Sequence, residues 1–250
     1  MLWYKAWLET RWRFFIGLIL TTLSAIGTVV TYPQVVKLIP MIPTNLSGPI
    51  GERVREAAQL ARSYHGFVWS HWYSQNLSQL VTIFAVILGT AGLLSQSGGA
   101  LFTLSLPISR SRLIGVRAAA GFAELFVITF IPSLLIPLLS PSIGEHYSLA
   151  GTLVYTFCTF IAASIFLSFA FLLSTIFSDV WPPLLIALAV AFAISLFEQL
   201  LNVHYGIYHV MHGETYFRSG HLPWLGLILS IAVSASLFYG AVVQMKRRDF

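Results

Sequence analysis

Three sparse kinds of residue in this chain are able to do chemistry: histidines, carboxylates set in apolar runs, and a cluster of arginines. His204, His209 and His212 fall close together, and imidazoles of that kind ligate zinc or copper. Their separations of five and three residues do not make the i, i+4 pair of a helical metal site, and no cysteine joins them. Solvated or interfacial histidine is therefore the favoured reading. Glu124 and Glu198 interrupt long apolar stretches. An ionised carboxylate at the centre of a membrane helix costs roughly 2.5–3.5 kcal/mol, so each is expected to face a bundle interior or water. Arg117 lies on the same helical face as Glu124, but about 10 Å of rise separates them, which favours a water bridge over a direct pair. Glu198, near the end of its run, can also reach the interface.

Several reactions are excluded by what is missing. No H-E-x-x-H occurs, and the only aspartates, Asp179 and Asp249, sit at the edges of apolar runs. A membrane-embedded aspartate pair therefore cannot form. All seven histidines (His65, His71, His146, His204, His209, His212 and His221) lie outside the spans, so a serine deep in one has no base. No enzyme activity is expected. No G-x-x-x-x-G-K-[ST] loop occurs, so ATP-driven work would need a second polypeptide, and no cofactor is expected in this chain. The single cysteine, Cys158, excludes an intrachain disulfide.

The elements that must position these residues follow from composition. The chain has 250 residues, 57% hydrophobic and 9% charged, with mean hydropathy +0.80. A water-soluble core of this size cannot hide so much apolar surface, so an all-α integral membrane protein is expected. The net charge of +5 belongs to the edges of apolar runs and implies no nucleic acid. Residues 1–13 place Leu2, Trp3, Ala6 and Trp7 on one face, predicting a cytoplasmic interfacial helix that lies against membrane lipid. The first apolar run follows Arg11 and Arg13 directly and is long enough to span, so no cleaved signal is expected. Spans are predicted at about 14–32, 77–94, 115–139, 149–176, 182–201 and 224–243, six within one transmembrane domain over 1–250. Pro132 and Pro137 predict a kink or early unwinding at the far end of the third. Thr152, Thr156, Thr159, Ser164, Ser168 and Ser174 predict close packing by the fourth. An external loop over 33–76 carries an amphipathic helix at 51–64, a cytoplasmic connector covers 95–114, and a second external loop covers 202–223.

Charge then orients the chain. Lys5, Arg11, Arg13, Arg110, Arg112, Arg117, Lys246, Arg247 and Arg248 fall on one side, against Lys37, Arg53, Arg55, Arg62 and Arg218. Nine against five predicts both termini in the cytoplasm.

The connector holds the string SLPISRSRLIGVRA. It resembles the signature between the second and third spans of type-2 permeases of ATP-binding-cassette (ABC) transporters, and the opening MLWYKAWLETRWRF is similar to their N-terminal amphipathic helix. The resemblance implies an exporter subunit in a bacterial cytoplasmic membrane. It would pair with a second permease subunit, identical or related, above two cytosolic ATPase subunits that bind ATP and Mg. It also implies ATPase coupling through Trp7 and Arg11 in the first segment and through Pro107, Ser109, Arg110 and Arg112 in the connector. Some members serve copper-enzyme maturation, which keeps the external histidines of interest. Aromatics and hydroxyls along the spans are compatible with lipids, drugs, peptides or glycans. The other reading is a membrane scaffold or insertion factor that pumps nothing.

Overall fold

The computed structural model describes residues 2–39, 48–90, 110–177, 179–201 and 206–247, and among them there is helix but no strand. α1 (Leu2–Leu38) runs unbroken for 37 residues, about 55 Å. The separate interfacial helix expected over 1–13 is therefore corrected: it is the opening of α1. No glycine or proline lies between Leu2 and Phe14 to stop the helix, and Thr10 and Arg13 find partners elsewhere in the bundle. α1 also passes Pro33, so the predicted loop over 33–76 begins late.

That loop also ends early. α2 (Pro49–Ala61) is the expected amphipathic helix, opened by a proline where an amide hydrogen is not needed. α3 (Tyr64–Val68), a π-helical stretch (Trp69–Leu77) and α4 (Ser78–Gly89) then join into one helical column over 64–89. The predicted second span began only at Leu77, because Ser70, His71, Ser74, Gln75 and Asn76 read as loop. The π-helical widening turns Trp69, Trp72 and Tyr73 inward, where all three are buried.

α5 (Arg110–Leu139) starts within the predicted connector and continues through Pro132 and Pro137. It ends in a 3₁₀ turn (Ser140–Ile143) closed by Gly144 at φ 79°. α6 (Leu149–Ile176) is capped by the Ser148 hydroxyl, which accepts the Gly151 amide hydrogen. α7 (Trp181–Leu201) and α10 (Trp224–Arg247) flank a hairpin of two short helices, α8 (Ile207–Met211) and α9 (Glu214–Ser219). Among the described residues five helices, α1, α5, α6, α7 and α10, are long and apolar enough to cross a membrane. The sixth expected span has as counterpart the column over 64–89, which is not one regular helix.

Three helices form the centre. α4, α5 and α6 pack against one another, and each groove between two of them takes an outer helix. α1 lies on α4 and α5, α7 on α4 and α6, and α10 on α5 and α6. α4 and α6 approach closely: a Cβ on Gly89 would stand 2.5 Å from the Leu167 carbonyl oxygen. Only glycine fits there.

Candidate functional site

Polar side chains collect at the two ends of this bundle. At the end where α1 and α5 begin, Glu9 accepts a hydrogen bond and ion pair from Arg117. The next residue on α1, Thr10, is hydrogen-bonded to Glu124 Oε1. Arg13 Nη1 donates to the Ile87 carbonyl at 3.1 Å, serving one of the carbonyls left open at the C-terminal end of α4. The water bridge expected between Arg117 and Glu124 is replaced by α1, which inserts Glu9 and Thr10 as their separate partners. Glu124 Oε2 and Arg117 Nε remain buried without a hydrogen bond. Beside them a narrow cleft with room for about one water is lined by Ala6, Thr10, Gly89, Arg117, Ala118 and Gly121 among others.

Beyond these groups the same end keeps an outward face. Arg11 is exposed, its guanidinium 5.6 Å from the Trp12 ring, and Arg112 is exposed in the first turn of α5. Arg110 opens α5. Trp7 is half-buried and packs its ring on Phe14 at 5.2 Å and Phe15 at 5.9 Å. Pro107 and Ser109 lie outside the described residues, as does the rest of the connector before Arg110.

At the opposite end an aromatic cluster fills the space between α1, the column over 64–89, α6 and the hairpin. His65 stacks 5.5 Å from Tyr147 and 5.4 Å from Phe217, and Phe217 stacks 4.1 Å from Trp69. Tyr64 and Ser140 share a hydrogen bond of 2.7 Å. Tyr73, Tyr147 and Thr156 keep buried hydroxyls without a partner of good geometry. Burial raises the Tyr147 phenol above its ordinary range.

The hairpin closes this end. Met211 is fully buried; its carbonyl accepts from the Thr159 hydroxyl at 2.9 Å, and its sulfur lies 3.7 Å from the Thr82 hydroxyl. Trp69 Nε1 donates to the His212 carbonyl at 3.0 Å. Gly213, at φ 61°, turns the chain from α8 into α9. Glu198 is half-buried, and its carboxylate accepts the Tyr208 amide at 3.0 Å and the His209 amide at 3.4 Å, capping α8 from α7.

Among the described residues, His209 and His212 have separate surroundings. His209 Nδ1 meets Glu214 at 2.9 Å while Nε2 lies 3.3 Å from the Thr215 hydroxyl. That hydrogen bond from His209, with the charges of His209 and Arg218, holds the Glu214 carboxyl down at about 2. Arg218 completes a line, 2.7 Å from Glu214 and 3.8 Å from Glu56 of α2. His212 is partly covered, and burial pushes its imidazole down to about 4. His204 lies outside the described residues, and among those described no group of three or more His, Cys, Asp or Glu is placed to hold a metal ion.

Sequence reasoning found Glu124 and Thr159 but missed their partners. Glu9 read as a polar residue of an interfacial helix, Thr10 was not singled out, and Met211 fell in the predicted loop over 202–223. The one available signal was an excess of polar residues on α1 opposite the only acid of α5.

No protein-family model, curated protein or solved structure matches this chain.

Proposed function

We propose that the chain is the transmembrane permease subunit of an ATP-driven exporter of the type-2 ABC class. It would sit as a multi-pass protein in a bacterial cytoplasmic membrane, with six spans and both termini inside. The column over 64–89 serves as the second span, and a second permease subunit and two cytosolic ATPase subunits complete the machine. Closure of the ATPases on ATP would push on the basic end and tilt α1 and α5 together, since polar contacts tie those helices.

One observation carries this reading. Thr10, Arg13, Arg117 and Glu124 are used inside the bundle and Glu9 pairs with Arg117 at its edge, yet Arg11 and Arg112 at the same end stay exposed. Folding leaves a pair of guanidinium groups, one on each of two coupled helices, facing where an ATPase would dock. A planar guanidinium binds a carboxylate through paired hydrogen bonds that lysine cannot copy.

The experiment is co-expression with a phosphate-loop ATPase, followed by co-purification and measurement of ATP turnover. Arg11→Ala with Arg112→Ala is expected to weaken ATPase binding about 30-fold or more, the consequence of truncating one side of a desolvated charge contact. The matching lysine pair is expected to fall between. Thiol labelling from outside is expected to reach a cysteine placed at Gln59 and to miss one placed at Ser111. A chain that binds no ATPase, or is indifferent to both substitutions, is a scaffold or insertion factor instead.

A further inference from the structure

We propose that Glu124 is a proton-binding site within the bundle: its carboxyl group carries a proton on Oε1 and donates it to Thr10 Oγ1. The inference does not depend on the permease reading.

Counting hydrogens leads to it. A threonine hydroxyl has one hydrogen to donate. Thr10 Oγ1 lies 3.1 Å from the carbonyl of Ala6, the residue four before it, where a helical threonine commonly places that hydrogen. With the hydrogen used there, the contact between Thr10 Oγ1 and Glu124 Oε1 needs a second one, and the carboxyl group is the group able to supply it. The other carboxyl oxygen agrees. Glu124 is 4% exposed, and its Oε2 is buried without a hydrogen bond. For an ionised group that would strand half of the charge; for a neutral acid it leaves one carbonyl oxygen unpaired.

The surrounding charges are already engaged. On α1, Glu9 holds Arg117 of α5, and Arg13 holds the Ile87 carbonyl of α4. α4 and α6 bring Leu88, Gly89, Leu167 and Phe171 to the adjoining cleft, none of them titratable. Thr10 forms part of the cleft wall and so stands between Glu124 and any water there. Loading is a relay. A hydronium ion in the cleft gives its proton to Thr10 Oγ1, the hydroxyl's own proton passes to Glu124 Oε1, and a neutral water remains. Unloading is the reverse.

The test is infrared spectroscopy of the full chain in lipid at neutral pH. Wild type minus Glu124→Gln is expected to show the C=O stretch of a protonated carboxyl group, shifted down in D₂O. Thr10→Val removes the acceptor, so that band should move up and its hydrogen exchange should slow; Thr10→Ser should restore both. A difference spectrum carrying paired carboxylate bands, with none from a protonated acid, overturns the proposal. If the glutamine variant does not fold, the valine and serine variants decide alone: a carboxyl region identical to wild type in Thr10→Val is equally fatal.

Discussion

α6 and α7 follow one another in the chain and are equally apolar, with mean hydropathy 2.2 and 2.3 over their best windows, yet 72% of the first and 11% of the second is buried. In water such a pair would compete for the core on equal terms. In lipid, apolarity gives no preference for the interior, because acyl chains solvate leucine as well as a neighbouring helix does. The two helices differ in their hydroxyl-bearing residues. α6 buries Thr152, Thr156, Thr159, Ser164, Ser168, Ser174 and Thr175, and Ser168 meets Ser234 of α10 at 2.8 Å. α7 has a single hydroxyl, Ser195, and turns Leu185, Phe192, Phe197 and Leu200 outward.

A matched pair of substitutions tests this contrast most severely. Ala163 on α6 is fully buried and Ala193 on α7 is exposed. Ala163→Leu is expected to cost about 1–3 kcal/mol through overpacking. Ala193→Leu should stay within about 0.5 kcal/mol, both read from unfolding in detergent. Equal losses would mean that the outward face of α7 is covered by another subunit.

A smaller effect is expected where α7 makes its main polar contact. Glu198→Ala removes the cap of α8 and should cost about 1 kcal/mol. Amide exchange over 207–211 should accelerate while α6 stays protected; unchanged exchange would leave α7 with no hold on the hairpin.

A pH dependence of the hairpin itself is also expected. His212 titrates near 6.5 in an unfolded chain and at about 4 in the fold, so the unfolded form binds more protons between those values. Hairpin stability is therefore complete above about pH 6.5 and is lost as pH falls toward 4. Glu214, held down to about 2, contributes stability that is lost only at lower pH, below the ordinary 4.5, and does not mask the window. Exchange over 206–220, corrected for intrinsic rate, should quicken from pH 7 to pH 5 in wild type. His212→Gln should remove that response.

Much of the bundle was legible because span length and hydroxyl content are local properties. The stripe from Thr152 to Ser174 marked α6 as a packing helix, and the Pro182–Pro183 pair marked the start of α7. The column over 64–89 was not legible, since a π-helical stretch rich in Ser, His, Gln and Asn carries the composition of a loop. Its burial depends on Trp69, Trp72 and Tyr73 finding distant partners, as Trp72 does with Ser133 at 3.4 Å. The site at the basic end was half legible. Glu124 stood out on its own helix, but Thr10 became its partner only through the packing of α1 on α5, 114 residues away in sequence. Pairings at such separation leave no mark on local periodicity.

That separation bears on how the protein is made. Arg13 waits 74 residues for the carbonyl that receives it, and Thr10 waits 114 for Glu124. At ribosomal speeds of about 5–20 residues per second, the second interval lasts roughly 6–23 s. Until each partner is made, the first helix holds Glu9, Thr10 and Arg13 without them, and water or lipid headgroups must satisfy them. A segment lying at the membrane surface, with these side chains at headgroup depth, would satisfy them until the third apolar segment leaves the ribosome carrying Arg117 and Glu124.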